Sequence, residues 1–237
     1  MILPDLDARR RQSELMDAPS LAPARRAHAL KALARVNALS GVAQRVWTEI
    51  LELQNAGAPA TLRVLDIACG GGDVVVSLAR RAARSGLDLE AHGCDVSPLA
   101  LEVARTNAER AGIQAQFFEL DALRDEIPQD YDLVCCSLFL HHLDEQDAIA
   151  LLGAMAEGAR RAVLVQDLRR TVTGYLLALG VLRVISRSQV AHVDGPRSVE
   201  GAFSLEEARE LARRAGLDGV RVEACWPQRF QLTWRRV

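Results

Sequence analysis

The stretch Arg63–Val74, RVLDIACGGGDV, decides how the chain is read. Its first half is a continuous apolar run, the pattern of a strand buried on both faces, and its second half is a glycine turn that opens a helix. Turns of this kind commonly cradle phosphate, because backbone amides and a helix N-terminus both favour an anion. Here, however, Asp66 stands just before the glycines and Asp73 just after them. A dinucleotide fingerprint requires G-x-G-x-x-G; Gly70 and Gly72 fit its first two positions, but Val75 stands at the third. Flanking carboxylates repel pyrophosphate and suit a ligand with an ammonium or sulfonium group and no phosphate. The glycines still let backbone amides approach that ligand closely.

Outward from this turn the pattern alternates. Helix from about Asp73 to Arg84 is followed by the strand LEAHGCDV, and Ser97-Pro98 caps and starts a helix that ends at Gly112. AQFFELD and YDLVCCSLF read as the third and fourth strands, a helix over roughly Glu145–Glu157 follows, and RAVLVQDL is the fifth strand. Apolar strands separated by helices predict a parallel sheet covered on both sides. Ser204 and Glu207 form a capping box for a last helix that stops at Gly216. GVRVEACW and RFQLTWRR then predict an antiparallel hairpin at the sheet edge. The expected fold is therefore α/β: a Rossmann-like, doubly wound, seven-stranded sheet, mostly parallel, with a C-terminal antiparallel hairpin.

Two segments stand outside this rhythm. Residues 1–60 carry two helices, PARRAHALKALARVNALSG and VAQRVWTEILELQNAG, read as an N-terminal helical cap on the domain of residues 61–237. Residues 171–203 insert an apolar helix, GYLLALGVLRVI, and a segment, SRSQVAHVDGPRSVEGAF, read as a loop with an Asp-Gly-Pro turn.

The 31 acids nearly balance the 29 bases, so no general attraction to nucleic acid or anionic membrane is indicated. The five cysteines form no C-x-x-C pair, which favours reduced thiols and a cytoplasmic protein. The first residues, MILPDLDARRRQSELMD, have acids and no apolar core segment and do not read as a signal peptide, and no apolar stretch approaches a membrane span.

With LDIACGGGD after the first strand, Asp95 at the end of the second and a terminal hairpin, the chain resembles the class I S-adenosylmethionine-dependent methyltransferases. Asp66 falls on the acidic position of that family's first motif, and Gly70 and Gly72 on its last two glycines; Ala68 replaces its first glycine. The resemblance implies that Asp95 meets the ribose hydroxyls, chemistry that a carboxylate performs well. It implies that Asp121 and the backbone of Ala122 meet the adenine. Asp66, Ala68, Cys69, Gly70, Gly72, Asp73, Asp95, Val96, Asp121, Ala122 and Ser137 are the expected S-adenosylmethionine contacts, with S-adenosylhomocysteine as product. A cap or turn residue explains any one acid, but three acids at successive strand ends mark the crevice of an open α/β sheet.

The resemblance covers 61–168 most fully and is similar to the small-molecule, quinone-type branch. More loosely, through ELMDAPSL and VDGPRSVEGAFS, the chain resembles bacterial methyltransferases of polyketide and phenolic-lipid pathways. CCSLFLHHLDE lacks the Asn/Asp-Pro-Pro-aromatic motif of amino-methylating nucleic-acid enzymes and the Pro-Cys nucleophile of cytosine enzymes. The expected acceptor is a small phenolic or quinone-like metabolite, methylated on oxygen or else on carbon. A phenol, with a pKa of about 10, benefits from a base. His141, His142 and His192 are the candidates; adjacent histidines diverge, so at most one of His141 and His142 is expected to face the crevice. His192 with Asp194 forms a candidate oriented base, Arg197 a candidate anchor for an acidic or phenolate group, and Tyr175 with the apolar helix a candidate pocket wall. A loop, cap or turn role explains the same residues. No ligand spacing recurs, so no metal is expected. The chain is expected to be a monomer or homodimer. Two other classes remain open, a nicotinamide oxidoreductase on a similar sheet and a non-catalytic subunit that keeps the fold; within the methyltransferases, RNA as acceptor also stays open.

Overall fold

The computed structural model of the protein describes residues 4–18, 20–186 and 188–236. Positions 1–3, 19, 187 and 237, which fall within the domain limits, ELMDAPSL and the segment after the apolar helix, lie outside the described residues.

Strands β1 (Thr61–Ile67), β2 (Asp88–Asp95), β3 (Gln116–Glu119), β4 (Tyr131–Ser137), β5 (Ala159–Leu168), β6 (Arg221–Cys225) and β7 (Arg229–Arg235) form one sheet of order β3-β2-β1-β4-β5-β7-β6. The first five run parallel, and β7 enters antiparallel between β5 and β6. Residue parity sorts the core, as a strand's two-residue period requires. Leu65 and Ile67, Val134 and Cys136, Val163 and Val165 pack on one face, against α5 (Glu145–Gly158) and α8 (Leu205–Arg214). Leu62 and Val64, Leu133 and Cys135, Ala162 and Leu164 pack on the other, against α2 (Val42–Asn55), α3 (Asp73–Ser85) and α4 (Pro98–Ala111). Both faces are therefore covered, and the chain order reverses between β1 and β4, where such sheets open a crevice.

Local chemistry sets the helix ends. Ser97 accepts from the Ala100 amide, Pro98 takes the first helical position of α4, and left-handed Gly112 (φ +66°) ends it. Ser204 and Glu207 exchange both bonds of a capping box at α8.

Two segments differ from their sequence reading. Of the two N-terminal helices, α1 (Pro23–Ser40) lies over the sheet's carboxyl edge, but α2 is a layer of the domain itself. Val46 and Ile50 of α2 are fully buried among β-strand residues. The second difference lies after α6 (Val172–Ile185). The segment read as a loop is helix α7 (Gln189–Gly201), with Ser188 as its side-chain cap and Asp-Gly-Pro inside it. Gly195 serves close packing here and not a turn: a Cβ at that position would meet Leu182 Cδ1 at 2.0 Å. Pro196 deprives one carbonyl of its helical partner, a cost that tertiary packing of α7 on α6 and α1 offsets. No helix among the described residues is long and apolar enough to cross a membrane.

Candidate cofactor and acceptor site

The carboxyl ends of β1, β2, β3 and β4 open into a crevice of about 520 Å³, roofed by Arg26, Leu30, Leu33 and Asn37 of α1. The glycine turn forms its floor. Ala68, at the position where the family motif has a glycine, takes the left-handed conformation that glycine adopts freely (φ +53°). Gly72 (φ +70°) is required by packing as well, since a Cβ there would lie 2.8 Å from Phe117 and 2.9 Å from Ala104. Asp95 ties the turn together: its Oδ2 accepts from the Gly70 amide (2.9 Å) and its Oδ1 from the Ser97 amide (2.9 Å). Asp95 thus fixes the backbone of the turn at the carboxyl end of β2, on the wall of the crevice.

The electrostatics of the crevice call for a cation. Burial, then the nearby Asp73 and Asp95, push the Asp66 carboxyl well above the usual range. Burial raises Asp73 too, against the pull of an Asn37 hydrogen bond and Arg229. Ser137 Oγ is buried at the wall without a hydrogen-bond partner among the described residues. Acids that repel one another, an orphaned hydroxyl and a close-approach glycine turn fit a cationic, hydroxyl-rich ligand without phosphate.

A second cavity, of about 320 Å³, adjoins the first, and Met16, Leu33, Leu138 and His142 line both. Leu138 holds a left-handed conformation (φ +56°) at this junction, a strain that costs about 1–3 kcal/mol and fixes the start of the histidine turn. Most of the second cavity is aliphatic, with Leu177, Ala178, Val181 and Leu182 of α6 along one wall. Its titratable side chains among the described residues are Glu14, His141, His142 and Arg229.

These groups are held in an ordered array. Asp167, at the end of β5, accepts from the His141 amide (3.0 Å) and from His141 Nδ1 (2.6 Å). His141 Nε2 lies 3.5 Å from Glu14 Oε1, His142 Nε2 lies 3.9 Å from Glu14 Oε2, and Ser198 Oγ donates to Glu14. Burial disfavours charge on His141, but Asp167 and Glu14 outweigh it and raise its pKa to about 10. Burial likewise works against Asp167 and Glu14, and the imidazolium outweighs it and holds both below the usual carboxylate range. The N-terminal segment that carries Glu14 is latched down. Arg9 donates to the carbonyls of Gly201, His141 and Leu143, and Asp194 accepts from the amides of Leu15 (2.8 Å) and Met16 (3.0 Å).

With this geometry in place, comparison with known proteins is informative. Residues 64–161 match the model of a family described as a methyltransferase domain. A ubiquinone biosynthesis O-methyltransferase of Xylella fastidiosa is 30% identical over 187 residues, 73% of this chain and 69% of that protein. The chain belongs to the S-adenosylmethionine-dependent methyltransferases. A ubiquinone biosynthesis O-methyltransferase of Bordetella parapertussis is 28% identical over 171 residues, 70% of this chain and 66% of that protein. The chain thus spans about two thirds of the length of the curated relatives it matches. Among solved structures, magnesium protoporphyrin IX methyltransferase from Synechocystis with bound S-adenosylhomocysteine has the same fold. It gives a TM-score of 0.58 at 20% identity, over 83% of this chain and 84% of that one. Human N-acetylserotonin methyltransferase, in complex with S-adenosylmethionine, gives 0.64 at 16% identity, over 91% of this chain and 56% of that one.

In this methyltransferase the residues assigned above to the cofactor converge. Asp66, Ala68, Cys69, Gly70, Asp73, Asp95, Val96, Asp121, Ala122 and Ser137 all line the crevice, and Gly72 packs beneath it. The acceptor residues separate. His142 lies at the junction and His141 behind it, so both adjoin the second cavity. His192 lies elsewhere: its Nε2 donates to the Ser186 carbonyl (2.8 Å), with the Leu182 carbonyl at 3.1 Å, and so ties down the end of α6. Asp194 caps the N-terminal segment, Arg197 donates to the Ser13 carbonyl (3.2 Å), and Tyr175 lines neither cavity. The sequence reading passed over Glu14, Asp167 and Arg229. Asp167 carries the signal that marked Asp66 and Asp95, an acid at the end of a parallel strand; Glu14 and Arg229 carry none.

Proposed function

We propose that the protein transfers a methyl group from S-adenosylmethionine to a hydroxyl oxygen of a small phenolic or quinol-type acceptor. One observation carries this reading: the acid-lined crevice and the aliphatic-walled cavity share a wall at His142. The names of the ubiquinone biosynthesis O-methyltransferases among its relatives support the choice of oxygen and of a ring acceptor. A cytoplasmic setting suits its five free cysteines.

In this reading Asp95 would hold the ribose hydroxyls, Asp121 and Ala122 the adenine, and Asp66 and Asp73 the cationic end of the cofactor. S-adenosylmethionine, when bound, would supply an electrophilic methyl group. The aliphatic wall of α6 orients the acceptor ring and excludes water, so positioning supplies much of the acceleration. His142 takes the hydroxyl proton as the oxygen attacks, and Glu14, 3.9 Å from its Nε2, stabilises the imidazolium that results. His141, already charged between Asp167 and Glu14, acts as the fixed support of Glu14 and not as the base.

Incubation with methyl-labelled S-adenosylmethionine and a panel of catechols, hydroquinols and simple phenols tests this directly. The expected outcome is label on an acceptor oxygen. Tight S-adenosylhomocysteine binding with no label on any ring acceptor would leave a non-catalytic, cofactor-binding protein.

A further inference from the structure

Arg229 is a buried cation of the acceptor cavity that the proposed reaction leaves unused. It starts β7, where antiparallel register sets it opposite Leu168 of β5 and turns its side chain inward. Its side chain is among the largest fully buried ones in the protein, at 2% exposure. The guanidinium carries five donors in a planar fork suited to a carboxylate. Of these, Nη2 reaches Asn37 Oδ1 only at 3.5 Å, and Nη1 finds no hydrogen-bond partner among the described residues. Burial brings its pKa down to about 10, so it remains charged at neutral pH. Asp167 and Asp73 attract it through space, but Asp167 is committed to His141 and Asp73 to Asn37. Fully buried arginines are paired almost without exception, and an unpaired one is costly.

Building on the reading of this cavity as the acceptor site, we infer that Arg229 is the seat of an anionic oxygen group, a carboxylate, on an otherwise apolar ring acceptor. The surrounding chemistry supports that class. Leu168, Val181, Leu182 and Trp226 line the same cavity, so the ligand is an aromatic acid and not a polyanion. Glu14 adjoins the same cavity and disfavours a second negative charge near the histidines, so the carboxylate and the reacting hydroxyl lie at different ends of the acceptor. The role imagined from sequence for Arg197 therefore falls to a residue on a different element.

The test is binding by calorimetry in the presence of saturating S-adenosylhomocysteine, with dihydroxybenzoate, its methyl ester and catechol as probes. The wild-type protein is expected to bind the acid at least about tenfold more tightly than the ester or catechol, the contribution of a charge-assisted fork. Arg229→Gln should bring the three probes to within about twofold of one another, and Arg229→Lys should restore part of the preference, since a point charge replaces a fork. Equal binding of acid and ester to the wild-type protein overturns the inference without recourse to any variant. Loss of S-adenosylhomocysteine affinity in a folded Arg229→Gln protein also overturns it, and assigns the guanidinium to the cofactor's carboxylate. Preference for the acid without methyl transfer would support the anion seat and refute the proposed reaction, so the two fail separately.

Discussion

The two cavities that meet at His142 are built in opposite ways. In the cofactor crevice, the acids sit at the ends of adjacent parallel strands or in the turn that follows, on a sheet whose central strands are buried on both faces. The acceptor cavity is assembled from the N-terminal segment, α1, the histidine turn, α6, α7 and the β6–β7 turn, segments far apart in sequence. Charge differs as well. The crevice gathers carboxylates, of which Asp66 and Asp73 are pushed up by burial, whereas beside the acceptor cavity Glu14, His141 and Asp167 alternate in charge. A site carried on strand ends inherits the rigidity of the sheet and is fixed for one ligand. A site closed by peripheral helices can exchange its walls while the sheet stays unchanged.

The division of labour at the junction is tested most severely by His142→Ala. Removal of the base should lower kcat by about 10²–10⁴-fold, with S-adenosylhomocysteine affinity within about threefold of wild type. A parallel loss of cofactor affinity would erase the distinction between the two cavities. Asp95→Asn addresses the other side. It weakens the charge-assisted acceptor that holds the glycine turn and, in the proposed reading, the ribose, and should weaken S-adenosylhomocysteine by about 10–100-fold. Probe binding to the acceptor cavity, measured by ligand-detected magnetic resonance, should change little.

Glu14→Gln examines the row of alternating charge and should show in stability with a defined pH dependence. The raised pKa of His141 contributes stability that is fully present below about 6.5, its unfolded value, and is lost as pH rises through about 10. The lowered pKa of Glu14 contributes stability that is present above about 4.3 and is lost as pH falls through its folded value. The difference in stability between wild type and Glu14→Gln, by chemical denaturation, should therefore peak near pH 5–6 at about 1–2 kcal/mol and shrink towards pH 10. A pH-independent difference would mean that Glu14 acts through packing alone.

The same contrast explains what the sequence made legible. Asp66, Asp95 and Asp121 were readable because strand, turn and acid are local, and because parallel strands place their ends together without reference to the rest of the fold. The helix stop at Gly112 and the box at Ser204 were readable for the same reason. Asp-Gly-Pro misled because its turn preference is a statement about neighbours, whereas Gly195 answers to Leu182, thirteen positions earlier and one helix away. Trp47 and Ile50 lie in a helix read from the sequence as part of a cap, yet both pack in the core beneath this sheet. Glu14 and Arg229 acquire meaning only from tertiary partners, since one sits in an irregular segment and the other has the look of an exposed edge-strand arginine.

His192 supplies the smallest and most discriminating comparison, because it sits on the same insertion as the acceptor wall yet faces away from both cavities. Its Nε2 serves carbonyls at the end of α6, groups that a helix C-terminus leaves without partners. His192→Ala should therefore cost about 0.5–1.5 kcal/mol of stability, the value of an ordinary hydrogen bond, and leave kcat and S-adenosylhomocysteine affinity within about twofold. The loss should be local, with faster amide exchange in the last turn of α6 and none in the strands. A hundredfold drop in kcat with unaltered stability would move the base from the junction to the insertion. The acceptor would then have to reach past α6, and the shared wall at His142 would lose its role in the reaction.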